Sequence, residues 1–429
     1  MVNYSKKISD VAKIILFFIC AIPMFFFIDG SVSFGGFGFM YHYLYGMGIM
    51  TIAFIFFLKE PDVWYVLELS KDAIALALVY ILMVLWSFII WSVQFEGQET
   101  IIKGIFENVY VILAILTAAA CRFLFRGKSV LYCTYAISIG NLMIIIPVFL
   151  ENPSDFITEL INLVATFGDD TGPLMKSIEI HDLTFAFGII FLYALIRKGL
   201  EGRIRILILS GIFSVTGLKR IAVAGIVLGY AIYEILLRIK KYKMYVYIMC
   251  GVIIVASFAY LCAVHYGLYD FLELKGLNTK GRNLIYGHIN TLFEITPGFM
   301  GNGLGFSSKS WDLPFYSKLF QDAYHNEFLK MYVEMGFWGY FVWIFLHLPF
   351  RIWYFIRVRG QACGLMYLAT AIYCYITYAT DNTYYYYYLN FAVFLIAFGG
   401  EEGHAYASDR KIKEKFKRLV YSKTASVSG

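Results

Sequence analysis

The sequence predicts an all-α polytopic membrane protein of about twelve transmembrane helices, with both termini in the cytoplasm. Three observations carry that expectation. Hydrophobic residues make up 60% and charged residues 15% of the 429 positions, with a mean hydropathy of +0.67, more apolar matter than one water-soluble core of this length can hide. Apolar runs near the roughly twenty residues that a bilayer-spanning helix needs recur along the chain. Lys and Arg gather in the connections on one side, which explains the net charge of +6 by topology. A nucleic-acid partner is not expected, because no soluble domain carries a stripe of aromatics and Arg.

In chain order, the first run is 11–28. No small-residue cleavage site precedes Asp29, so it reads as a membrane helix and not as a removable signal peptide. Further spans are expected over 37–58, 73–93, 101–121 and 130–150. A shorter run, 183–196, precedes a tight helical hairpin of 204–217 and 220–237, and the remaining spans are 244–264, 328–350, 364–380 and 384–398. Residues 1–429 form one transmembrane domain. Within it, 265–325 is a long, partly helical extracytoplasmic loop, and 401–429 is a basic cytoplasmic tail.

Alternating the connections between two sides puts Arg122, Arg126, Lys128, Arg197, Lys198, Arg203, Arg238, Lys240, Lys241, Arg351, Arg357 and Arg359 with the N-terminus. An acidic loop at 151–182 and the loop at 265–325 take the other side. Asp170 and Ser308 are thus expected outside, Ser129 and Ser422 in the cytoplasm. Long loops on a compact scaffold usually carry function. There is no convincing internal repeat, which argues against a transporter of two matched halves.

The outer loops hold the candidate chemistry. Gly281-Arg282-Asn283 precedes a glycine-rich stretch, 297–306, that reads as a backbone turn. A nucleotide site is not expected there, because no strand leads into the glycines and no helix follows at once. The loop closes on Tyr324-His325-Asn326-Glu327, which sets His325 at the outer mouth of a helix. Glu327 and Glu334 on that helix are expected to point inward, since charge facing lipid is costly. Lys219 and Arg220 sit at the outer end of the 204–237 hairpin, where an Arg snorkelling to lipid phosphate is the plain reading. Joined with Arg282 and His325, the cations suit a phosphate-bearing lipid. His265 and His288 are the rival imidazoles. The tyrosine run 384–388 after Asp381-Asn382-Thr383 reads first as an interfacial aromatic belt, with stacking on a sugar ring as the sharper alternative. The seven cysteines show no metal-ligand spacing, and Asp169-Asp170 is isolated, so neither a metal nor any other cofactor is expected.

The motif Gly217-Leu218-Lys219-Arg220-Ile221-Ala222, the pair Gly281-Arg282, the glycine turn 301–306, and His325-Asn326-Glu327-Phe328-Leu329 followed by Glu334-Met335-Gly336 resemble the family of bacterial O-antigen polymerases and ligases, which includes capsular polysaccharide polymerases. The likeness spans roughly 211–339. It departs from the family's frequent Ser-Arg at Lys219-Arg220. The resemblance implies a membrane-embedded, GT-C-like glycosyltransferase working on the outer face of a bacterial plasma membrane with sugars on undecaprenyl pyrophosphate. It implies His325 as the catalytic base toward the acceptor hydroxyl, and Arg220, Arg282 and Lys219 on the pyrophosphate. Tyr324, Asn326 and Glu334 are in support. Membrane lipids, a chain-length regulator and a flippase are the expected partners. The polymerase is the leading reading. A ligase acting on a lipid A core sugar stands second, and a secondary transporter or lipid flippase is the alternative of another class.

Overall fold

The computed structural model describes residues 2–27, 31–34, 37–94, 100–168, 172–178, 181–277, 279, 281–309 and 324–399. The basic tail expected over 401–429 lies outside the described residues, as do 310–323 in the long loop and the pair Asp169-Asp170. The architecture is helical. In order come α1 (Val2–Phe26), α2 (Tyr41–Lys59), α3 (Val63–Gln94), α4 (Ile101–Phe125), α5 (Ser129–Glu151), α6 (Pro153–Ala165), α7 (Pro173–Ile178), α8 (His181–Ile196) and α9 (Arg203–Thr216). They continue with α10 (Arg220–Arg238), α11 (Tyr242–His265), α12 (Leu268–Leu274), α13 (Arg282–Ile289), α14 (Phe306–Lys309), α15 (Glu327–Phe345), α16 (Arg351–Arg359), α17 (Gln361–Tyr378) and α18 (Tyr387–Phe398).

Each apolar run read from the sequence holds a helix, and among the described residues 7 helical stretches are long and apolar enough to cross a membrane. One of them, Ile101–Glu151, contains both α4 and α5, and α8 and α18 are apolar but shorter. These two are central: α8 and α18, like α17, are buried almost all round, as a helix apolar on every face must be. The expected span at 37–58 begins later than predicted. Residues 37–40 form β2 (Phe37–Met40) against β1 (Ser31–Phe34) in an antiparallel pair. Helix propensity is low in a stretch so rich in Gly, Ser and Phe.

Small residues bring the central helices together. A Cβ at Gly225 would lie 2.8 Å from the Tyr373 ring, and one at Gly229 2.8 Å from the Ala369 carbonyl, so α10 approaches α17 through a Gly-x-x-x-Gly face. On the side expected to be cytoplasmic, Arg351 and Arg359 belong to α16 and are inward-facing, not loop anchors. Asp72 of α3 accepts from Arg359 at 2.6 Å and from Tyr354 at 2.8 Å, while Arg351 donates to Tyr367 and the Leu76 carbonyl. Ser129 is likewise buried at the start of α5.

The expected span at 328–350 is a helix broken at Gly336. Gly336 has φ 67° and ψ −174°, and the freed backbone groups are met by the glycine turn. Asn302 N–H donates to Val333 O, Gly303 N–H to Glu334 O at 2.8 Å, and Phe337 N–H to Phe299 O at 2.9 Å. Trp86 of α3 donates to Met335 O, and Gln94 to Gly301 O. Backbone polar groups without water must find partners in the protein, so the break and the turn require one another. Gly301, Gly303 and Gly305 all have positive φ, as expected for a turn and unsuited to other residues.

Candidate functional site

The site is built where three chain segments meet: the entry to α15, the start of α13, and the turn that follows α17. Asn326 is the N-cap of α15, its side chain accepting from Leu329 N–H at 3.1 Å and donating to the Tyr260 hydroxyl at 3.3 Å. The residue before it, His325, is held at φ 49°. Such a conformation is uncommon outside glycine and persists only where surrounding contacts impose it. Here the His325 N–H donates to Asn382 Oδ1 at 2.8 Å, and its carbonyl accepts from the Tyr286 hydroxyl at 3.3 Å. Burial pushes the Tyr286 phenol above its ordinary range, which keeps it a donor.

The imidazole is 38% exposed and its Nδ1 lies 3.8 Å from Asp381 Oδ1. Asp381 is fixed in turn, with Asn382 N–H donating to it at 2.8 Å and the Tyr386 hydroxyl at 3.4 Å. Arg282 opens α13 after Gly281, whose φ of 77° turns the chain, and donates from Nη2 to Thr380 O at 2.8 Å. Thr380, Asp381 and Asn382 are consecutive. One short turn therefore carries the partner of Arg282, the carboxylate beside His325, and the acceptor for the His325 backbone. The arrangement can take a proton at the outward ring nitrogen, stabilise the resulting imidazolium, and present a guanidinium to an anion nearby.

The other expected residues take different places. Arg220 starts α10 and is exposed, and it donates from Nε to Phe167 O at 2.8 Å and from Nη2 to Thr166 O at 3.4 Å. Those carbonyls end α6, so Arg220 acts there as a cation at a helix C-terminus. Lys219 is the extended residue just before α10. The pair is joined to the elements of the site through the packing of α10 on α17 and on α11. Tyr324 is buried next to His325. Glu334 lies nine positions beyond His325, about 13 Å along the helix, and accepts from Ser307 N–H at 3.1 Å. It anchors the segment after the glycine turn and is not part of the His325 site. Of the rival histidines, His265 ends α11 and packs against Phe293, and His288 lies in the last turn of α13.

The tyrosine run does not form a lipid-facing belt. Tyr384, Tyr387 and Tyr388 are buried inside the bundle, where Tyr388 donates to Met24 O and Tyr387 to Thr117. Sequence reasoning missed Asp381 and Asn382, which it took as a lead-in to that run. The available signal was an acid in a very short connection between two apolar spans. Among the described residues no three His, Cys, Asp or Glu side chains are grouped to hold a metal ion.

A family model described as O-Antigen ligase matches residues 206–344, from α9 to the end of α15. The match takes in Arg220, Arg282 and His325 and stops short of Asp381. No curated protein matches the chain. Residues 206–344 are thus similar to the O-antigen ligase family, in agreement with the resemblance carried by the sequence motifs.

Proposed function

We propose that the chain is a polysaccharide polymerase, transferring a growing glycan from undecaprenyl pyrophosphate to the non-reducing end of a second lipid-linked repeat unit, on the outer face of the plasma membrane. The observation that carries the reading is the juxtaposition of His325, Asp381 and Arg282 around one turn. His325 takes the proton of the acceptor hydroxyl as its oxygen attacks the anomeric carbon of the donor. The anomeric C–O bond to the pyrophosphate breaks, and the lipid pyrophosphate leaves with the bonding pair. An imidazole suits the first step because its charge changes near neutral pH, and Asp381 stabilises the imidazolium. Arg282 meets the charge that develops on the leaving group. Lys219 and Arg220, at the start of α10, are the second cationic group for the lipid phosphates. The leaving group already carries the activation, so no nucleotide and no divalent metal is needed, and EDTA leaves the reaction running.

The description of the matching family favours the second reading, a ligase handing a finished chain to a lipid A core sugar. Purified protein given only synthetic lipid-pyrophosphate repeat units separates the two. A polymerase lengthens them into a ladder. A ligase leaves them single and transfers only when a core oligosaccharide is supplied. If neither product forms and labelled lipid instead crosses a proteoliposome bilayer, a flippase replaces both.

A further inference from the structure

Behind the His325 turn lies a group of charges that the proposed reaction does not use. Glu327, Lys330 and Glu334 share one face of α15, and Glu107 reaches them from α4. Lys330 Nζ stands 3.4 Å from Glu107 Oε2, with the two side chains 13% and 19% exposed, and 4.3 Å from the centroid of the Tyr385 ring. Glu327 and Glu334 are fully buried. Each spends one oxygen on a different backbone segment: Glu327 Oε1 accepts from Tyr384 N–H at 3.3 Å, and Glu334 Oε1 from Ser307 N–H at 3.1 Å. The second oxygen of each is buried without a hydrogen-bond partner. Glu107, Glu327 and Glu334 all act electrostatically on the one ammonium of Lys330.

A buried carboxylate is stable only when a charge or donor offsets its desolvation. Lys330 pairs with Glu107 and also lies over the ring of Tyr385, in the segment that Glu327 holds. The segment that Glu327 holds, 383–385, continues directly from Thr380, Asp381 and Asn382, which hold Arg282 and His325. The order of the site therefore runs back to the ammonium. We propose that Lys330 is a positioning residue of the transfer site: paired with Glu107 and seated on the ring of Tyr385, it locks the 383–385 turn onto α15 and so keeps Asp381 and Asn382 on His325. The proposal rests on the transferase reading above.

Lys330→Met keeps the length of the side chain and removes the charge, and Lys330→Arg keeps the charge. Folding is followed by gel filtration and melting in detergent, and transfer with lipid-pyrophosphate repeats. Lys330→Met should lower kcat about tenfold or more while KM moves less than about threefold, the pattern of misaligned machinery with binding intact. Lys330→Arg should recover most of kcat, and adding Glu107→Gln to Lys330→Met should restore part of it, because one stranded carboxylate is gone. A second readout does not depend on turnover: the rate at which diethyl pyrocarbonate modifies His325, followed by mass spectrometry, should change several-fold in Lys330→Met. If the methionine variant does not fold, Glu327→Gln takes its place with the same expected split. Wild-type kcat and wild-type modification rate in a folded variant overturn the proposal, as does a rise in KM alone. Failure of the wild-type protein to transfer sinks the functional reading instead, and the modification rate still decides the role of Lys330.

Discussion

The Nδ1 atom of His325 and the Oδ1 atom of Asp381 face each other at 3.8 Å across the join between α15 and the turn after α17, although 56 positions separate them in the chain. At that distance the carboxylate acts on the ring as a charge, and a small closing movement makes it a hydrogen bond.

Asp381→Asn keeps the shape of the turn and removes the charge. A hydrogen bond to a charged group contributes on the order of 1–3 kcal/mol, so kcat should fall roughly five- to hundredfold. Donor binding should hold. Unchanged kcat would mean that the carboxylate only shapes the turn.

Arg282 and Arg220 should separate when donor binding and turnover are measured together. Arg282→Ala should weaken donor binding and slow leaving-group departure, and Arg282→Lys should restore only part of both, since an ammonium lacks the planar fork. Arg220 already donates to the carbonyls of Phe167 and Thr166. Its replacement by Ala should therefore cost stability as well as donor affinity, and Arg282→Ala, which frees the Thr380 carbonyl, should also lower the melting temperature. The two should differ in that Arg282→Ala alone slows leaving-group departure, and an equal loss of kcat and of affinity would give both arginines the same role.

The broken helix is open to a folding test. A Cβ at Gly336 would collide with the Met300 carbonyl, and one at Gly301 with the Gly336 nitrogen, and both glycines have positive φ. The backbone conformation alone costs a non-glycine residue about 1–3 kcal/mol, and the collisions add to it. Gly336→Ala and Gly301→Ala should each lower the melting temperature in detergent markedly. Gly251→Ala, on α11 with nothing within 4 Å of the new methyl, should not.

Sidedness follows from the Lys and Arg distribution, and thiol labelling in intact cells measures it. Ser129 is too buried to serve as a probe. The exposed Lys198 and Glu273 replace it as test positions, on the side expected to be cytoplasmic and the side expected to be outer respectively. In a cysteine-free background, Glu273→Cys should react with an impermeant reagent and Lys198→Cys only after the cells are broken. The reverse pattern inverts the topology.

The helices were legible in the sequence because lipid imposes one simple rule, an apolar run of sufficient length, and each run produced one. His325 and Arg282 were legible through their local motifs. Their pairing was not, because the turn that joins them comes from the far side of α17 and its members, Thr380, Asp381 and Asn382, carry no pattern of their own. The tyrosine run misled for a related reason: periodicity marks a helix end but not whether lipid or protein surrounds it, and burial of Tyr384 and Tyr388 depends on neighbours contributed by α1, α3 and α15. The break at Gly336 is likewise set by partners distant in the chain, whereas the short strands after α1 pair with each other locally.

The central claim is that His325 moves the proton of the acceptor hydroxyl. It is tested most directly by measuring transfer rate and donor binding side by side for purified His325→Ala, with synthetic lipid-pyrophosphate repeats and EDTA present. Removal of a general base costs about two to four powers of ten in rate, and in the proposed mechanism the base does not touch the donor phosphates. The account predicts a variant that binds donor as the wild type does and transfers at least about a hundredfold more slowly. Transfer within a few-fold of the wild-type rate would contradict it.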